Sequence, residues 1–259
     1  MKKLLLTAMA ALCTLGVSAQ QRVYLSTYGG TDVQRFDGQE CSVVCHRYVC
    51  NGWNTIALPF AMTESELNEA FGTDCRLERL VSAESQNGQV IVSFQDCKAG
   101  GIEANVPYIL HYTGTAGTKK LDKVATLENA PAVTRLMVAG TGDELVMQAA
   151  QRQVASDGKY GVLAKDNAEA KFVNVSDVPG GFAATRCYIT LSSGSKTELV
   201  TRHLAAGETT AIEDVAKSGE KVDVYNLGGQ RVATGISASQ VSNLQPGVYV
   251  IKGRKVTVK

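Results

Sequence analysis

Apolar and polar positions alternate in short runs along most of this chain. The runs at 23–26, 42–49, 55–60, 90–94, 108–112, 160–164, 171–175, 187–191 and 198–202 are rich in Val, Ile, Tyr or Thr and bounded by Gly, Asn, Asp or Pro. Such segments suit a pleated, half-buried surface, and each is predicted to be a strand. Asp166-Asn167 falls between two of them and suits a hairpin turn, because both residue types tolerate positive φ. One window departs from this pattern. Thr63-Glu64-Ser65-Glu66 has the form of a capping box, Leu67, Ala70 and Phe71 follow at helical spacing, and Gly72 is placed to end a helix. Residues 144–153, "ELVMQAAQRQ", fit either a weak second helix or a strand followed by a loop.

The alternation lapses at 205–219, where small, polar and charged residues show no sustained period, the composition of a linker. It resumes at 222–226, passes a Gly228-Gly229 turn into 230–233, and returns at 247–251 and 255–259 around a Lys252-Gly253 turn. The predicted fold is therefore all-β, mainly antiparallel and sandwich-like, with one short helix. The main β-rich domain spans 20–204, and a small C-terminal β module spans 220–259.

The first nineteen residues stand apart. Lys2 and Lys3 precede an apolar run from Leu4 to Val17, and Val17-Ser18-Ala19 places small residues where signal peptidase cleaves. The run is shorter than the roughly 20 residues that span a bilayer, and no later segment is long enough either. Leu12 before Cys13 is too large for a lipobox. Residues 1–19 thus read as a signal peptide, and the expected destination is the cell surface or the medium, with the periplasm as the fallback. Lys and Arg number 26 against 25 Asp and Glu, and loss of Lys2 and Lys3 leaves a formal charge of about −1. That balance gives no reason to expect nucleic acid or an anionic membrane as a partner.

Export also sets the reading of sulfur. Six cysteines follow the signal: Cys41, Cys45, Cys50, Cys75, Cys97 and Cys187. An even number in an exported chain is read first as disulfides, with Cys75 and Cys97 as plausible partners across a loop of about 20 residues. The stretch "CSVVCHRYVC" at 41–50 raises two other chemistries. Zinc would take thiolates and His46, but on a strand Cys41 and Cys45 share one face while His46 and Cys50 take the other. A cysteine nucleophile needs a base and an orienting group. On a strand the His46 ring points away from Cys45, and His111 and His203 lie far off in sequence. No G-x-S-x-G, H-E-x-x-H or phosphate loop occurs, so no catalytic, cofactor or metal residue is nominated. For sugar binding the aromatic content is 6%. Trp53 heads a strand whose Ile56, Leu58 and Phe60 would draw it into the core, leaving tyrosines such as Tyr24, Tyr28, Tyr112 and Tyr160 as surface candidates.

Two stretches resemble known families. "VDVYNLGGQRV" followed by "LQPGVYVIKGRKVTVK" resembles the Por-type C-terminal sorting domain, read by the type IX secretion system of certain Gram-negative bacteria. Val224, Tyr225, Gly229, Arg231, Leu244, Pro246, Gly247, Tyr249 and Lys259 stand at matching positions. The resemblance implies secretion machinery as a partner of the tail, with Gly247 expected to be required at the turn after Pro246. "GWNTIALPF", "FGTDCRLERL" and "IEANVPYIL" are similar to a W-N-T-x-x-L-P-F β region of secreted proteins from the same bacteria, a family with no established activity to carry over. Its members usually lack these cysteines. The reading is an exported, non-enzymatic β-rich protein with a structural or interaction role, no cofactor, and a protein or glycan ligand at a surface. A glycan-binding adhesin is the alternative, and a zinc-dependent or cysteine-nucleophile hydrolase the weaker one.

Overall fold

A computed structural model describes residues 21–25, 33–163, 170–176, 180–194, 197–206, 221–237, 240–241, 243–245, 247–251 and 254–258. The signal-peptide and Asp166-Asn167 readings, most of the linker, the Lys252-Gly253 turn, Pro246, Lys259 and Tyr28 lie outside the described residues. The chain begins with β1 (Arg22–Leu25), β2 (Glu40–Val49), β3 (Gly52–Ile56) and one α-helix, α1 (Glu64–Phe71). It continues through β4 (Arg76–Gln86), β5 (Gln89–Asp96), β6 (Tyr108–Tyr112), β7 (Gly117–Lys120), β8 (Lys123–Thr126) and β9 (Val133–Met137). Next come β10 (Glu144–Ala150), β11 (Tyr160–Leu163), β12 (Lys171–Asn174), β13 (Arg186–Leu191) and β14 (Leu199–Leu204). The last four strands are β15 (Val222–Asn226), β16 (Arg231–Ile236), β17 (Gly247–Ile251) and β18 (Arg254–Val258). The fold is all-β and sandwich-like, as the alternation implied.

Among the described residues the strands form three sheets. A ten-stranded sheet runs β3-β6-β4-β5-β14-β12-β11-β13-β10-β9, antiparallel except where β14 lies parallel to β5. It curls back on itself: Ala139, just past β9, exchanges backbone hydrogen bonds with Ala83 and Ser85 of β4 at 3.0 and 2.7 Å. At the other edge Ala57, just past β3, donates to the carbonyl of Thr185 at 3.0 Å. Inside the curl lie Trp53, Leu80, Val92, Phe94, Ile109, Met147, Phe172 and Ile189. A small sheet places β1 parallel to β2, with β8 and β7 pairing successive halves of β2. Its inner face, with α1, packs Val43, Val49, Leu67 and Phe71 against Ile56, Leu77, Tyr108 and Leu110 on the outside of the curl. β3, β6 and β4 thus serve two cores, one on each face.

The helix forms as its sequence predicts. Thr63 Oγ1 accepts from the Glu66 N–H at 3.3 Å, Glu66 Oε2 accepts from the Thr63 N–H at 2.7 Å, and Gly72 at φ 89° closes the end by donating to the Asn68 carbonyl. The other helical option is settled in favour of a strand: β10 is β structure, paired with β13 and β9. The strand expected at 55–60 begins earlier and stops at Ile56. Beyond it the Leu58 and Pro59 carbonyls accept from the N–H groups of Asn105 and Glu128, which are not ladder partners, and Pro59 has no N–H to give.

The C-terminal strands make the third sheet, in order β16-β15-β17-β18, all antiparallel. Val222, Val224, Val241, Ile251 and Val258 form its own buried core, flanked by Ala233, Ile236, Leu244 and Tyr249.

Candidate functional site

The cysteine-rich stretch forms β2, and its alternation separates the proposed ligands. Cys41 and Cys45 face the core, whereas His46 is exposed on the opposite face, with Nε2 3.5 Å from Asp122 Oδ1. Among the described residues no three His, Cys, Asp or Glu side chains converge as a metal site would require. The six cysteines are all free thiols, so none of the expected disulfides is formed. Spacing explains this. Cys41 and Cys45 are four residues apart on one strand, roughly 13 Å at about 3.4 Å per residue. Cys97 donates its N–H to the Leu77 carbonyl at 2.9 Å, beyond the end of the β4–β5 ladder. Burial pushes the thiol pKa up at Cys41 and Cys75, to about 11 at Cys45, and to about 12 at Cys97 and Cys187. Such thiols are poor nucleophiles at neutral pH.

A cluster the sequence did not single out lies inside the curl. On neighbouring strands Trp53 pairs with His111, and His111 pairs with Arg76, so one row crosses β3, β6 and β4 on a single face. Glu78 follows two residues along β4 on that face, and its side chain is 0% exposed. His203, at the far end of β14, pairs with Phe94 of β5, whose other partner is Leu80, and so reaches the same face. A bulge between Leu80 and Ser82 shifts the parity of β4, which lets Leu80 and Ala83 both point into the curl.

Trp53, 3% exposed, is the hub. The His203 ring stacks on it at 4.4 Å and 14°, the His111 ring is tilted against it at 4.9 Å, and the Arg76 guanidinium lies 5.3 Å from its centre. Glu78 Oε2 is 2.6 Å from His203 Nδ1, and Glu78 Oε1 accepts from Arg76. His203 Nε2 is buried with no hydrogen-bond partner. Burial lowers the His111 pKa, and Arg76 beside it lowers it further, against a smaller opposing pull from Glu78. Glu78 thus holds a guanidinium and an imidazole together on the inner face of the curl. Trp53 is therefore not an open platform for a sugar ring.

A second buried charge sits nearby in the fold. Arg47 of β2 is 1% exposed and donates to the carbonyls of Thr55 and Thr185 and to Thr185 Oγ1, the last at 2.8 Å. Among the described residues no carboxylate pairs with it. Burial lowers its pKa to about 9, and Arg186 nearby adds to the shift. Thr185 takes φ 66°, a left-handed conformation uncommon for a threonine, which turns its carbonyl toward both Arg47 and the Ala57 N–H. Arg47 so ties the small sheet to β3, at one edge of the curled sheet, and to the residue that leads into β13.

The tail residues fall in and around the third sheet. Tyr225 lies on β15, Gly229 at φ 77° closes the turn after it with its N–H on the Asn226 carbonyl, and Leu244 packs on the small core. The Tyr249 hydroxyl donates to the Gln245 carbonyl at 2.8 Å. Gly247 opens β17 with no left-handed φ, and a Cβ there would meet the Tyr249 ring at an ordinary 3.5 Å. The chain matches no protein-family model, no curated protein and no solved structure.

Proposed function

We propose that this is an exported, non-enzymatic β protein with a structural or interaction role at the cell surface, carrying a C-terminal sheet that secretion machinery reads. The observation that carries this reading is the self-contained character of the last strands. β15 to β18 bury Val222, Val224, Val241, Ile251 and Val258 against one another, and β16 and β18 form the two edges of the sheet. An edge strand offers unpaired N–H and C=O groups to which a receptor strand can add. The resemblance to the Por-type sorting domain falls on these same strands. Deleting 222–259 should leave the main domain folded but hold the protein in the periplasm, read by fractionation and surface proteolysis. Normal display of the truncated chain would overturn the sorting role.

Glycan binding is the second reading, and one observation favours it. Tyr24 and Tyr48 are both more than half-exposed or close to it, at 57% and 50%, on the outer face of the small sheet, and Arg22 lies 5.2 Å from the Tyr24 ring. Tyr24 pairs with Val44, so both tyrosines share the face that also presents His46. A glycan array run with the wild type and Tyr24→Ala/Tyr48→Ala tests it: binding lost in the variant supports sugar recognition, and no binding by the wild type removes it.

A further inference from the structure

The cluster around Trp53 has one carboxylate for three nitrogen bases. Arg76 and Glu78 pair one positive and one negative group there, and a proton added at His111 is a further positive charge in a mostly buried site. The groups that face His111 are Trp53 from β3, Arg76 and Glu78 from β4, and His203 from β14. Asp96, the register partner of Glu78 on β5, is turned away to accept from the Lys98 N–H at 2.9 Å. Glu78 is therefore the anion that a charged His111 would draw toward itself. It is also the anchor of His203, whose other ring nitrogen has no partner.

We propose that this cluster is an acid-operated latch: a proton taken up at His111 draws Glu78 away from His203 and frees the end of β14. Two contacts hold the His203 ring, the carboxylate at Nδ1 and the stack on Trp53. Protonation of His111 weakens both, by competing for Glu78 and by placing a second cation against the indole already faced by Arg76. The segment released is the end of the strand, His203–Leu204, where the chain leaves the curled sheet. The remainder of β14 stays, since Leu199 is fully buried and Arg202 is tied to Glu84 at 2.8 Å. The two states differ by local charge and a short length of strand, the usual form of a histidine switch.

Trp53 is the only tryptophan in the chain, so the full-length protein carries its own reporter. Its emission is followed from neutral to acid pH in the wild type, His111→Gln and His203→Gln, with far-UV circular dichroism monitoring the fold. The wild type should show one transition while the dichroism is unchanged, because an imidazolium beside an indole quenches it. His111→Gln should lose the transition, whereas His203→Gln, which keeps His111 against the indole, should retain it. Persistence of the transition in His111→Gln, or its absence in folded wild type, overturns the proposal. Should His111→Gln fail to fold, ring-proton NMR of the wild type decides, with His46→Gln at its exposed position aiding assignment. The His111 resonance must then titrate at the fluorescence midpoint, and amide protection must fall at His203 and Leu204 but not at Leu199. A different midpoint, or unchanged protection, overturns the latch.

Discussion

Arg47 and Glu78 are both buried charges on strands, yet their seats are built from opposite materials. Arg47 is held by backbone carbonyls and a threonine hydroxyl, while Glu78 is held by two side chains that carry or accept charge. Carbonyl dipoles have no protonation state, so the first seat stays the same as pH falls. The second is made of groups whose charge can change. Sealing one buried ion with backbone and another with titratable side chains gives one molecule a fixed joint and an adjustable one.

Removing Arg47 should have the largest effect. Arg47→Ala takes the donors from the Thr55 and Thr185 carbonyls and opens a cavity between the sheets. We expect a loss of about 3–5 kcal/mol in chemical denaturation. Arg47→Met, which fills the space without the charge, should lose less, because an apolar replacement also abolishes the cost of burying the ion. A Met variant as costly as Ala would show that the lost hydrogen bonds, not the cavity, account for the joint. Glu78→Gln should cost less than Arg47→Ala, about 2 kcal/mol, since charge-assisted hydrogen bonds become neutral ones but Arg76 can turn toward solvent. Equal losses at the two sites would erase the distinction between the seats.

The pH dependence separates them further. His111 has a folded pKa below its unfolded one, so the unfolded chain binds the proton first as pH falls. Its contribution is whole above the ordinary histidine range and declines as pH falls through that range toward the lower folded value. Glu66 acts in the same sense: burial raises its pKa, but bonds from Lys123 and Thr63 outweigh that and leave it lowered, so its contribution fades at more acid pH as the carboxylate protonates. Denaturation midpoints measured at successive pH values should fall on acidification. In His111→Gln the upper part of that fall should vanish, while in Arg47→Met it should remain. The smallest effect belongs to Thr63→Ala, about 1 kcal/mol from the lost cap. That loss should be additive with Arg47→Met, because the cap shares no partner with that joint.

Much of this architecture was legible in the residues. Capping box, spacing and terminal glycine placed α1 within a residue, because all three signals are local. β6, β15 and β17 were read at their full lengths, since each alternates or runs apolar between clear turn residues. β4 was not read at all. Its "RLERLVSAESQ" places Glu78 where an apolar residue would mark the core, and the bulge after Leu80 breaks the two-residue period. The same carboxylate that hid the strand also hid the site, because its partners Arg76, His111 and His203 come together only when four strands align. β7 and β8 escaped notice for a different reason: they are short, lysine-bearing strands whose ladder partner is β2. Cysteine count pointed toward disulfides, whereas strand spacing left the thiols free.

Those free thiols form a chronometer distributed through the molecule. Cys41 and Cys45 are sealed beneath the small sheet, Cys187 lies fully buried in the curled one, and residues 221–258 contain no cysteine. An alkylating reagent must wait for each region to open, so the order in which sulfur is modified records the order in which the two sheets breathe. Opening of the tail sheet alone would leave that record blank, and the interior of the main fold therefore keeps time independently of the C-terminal strands.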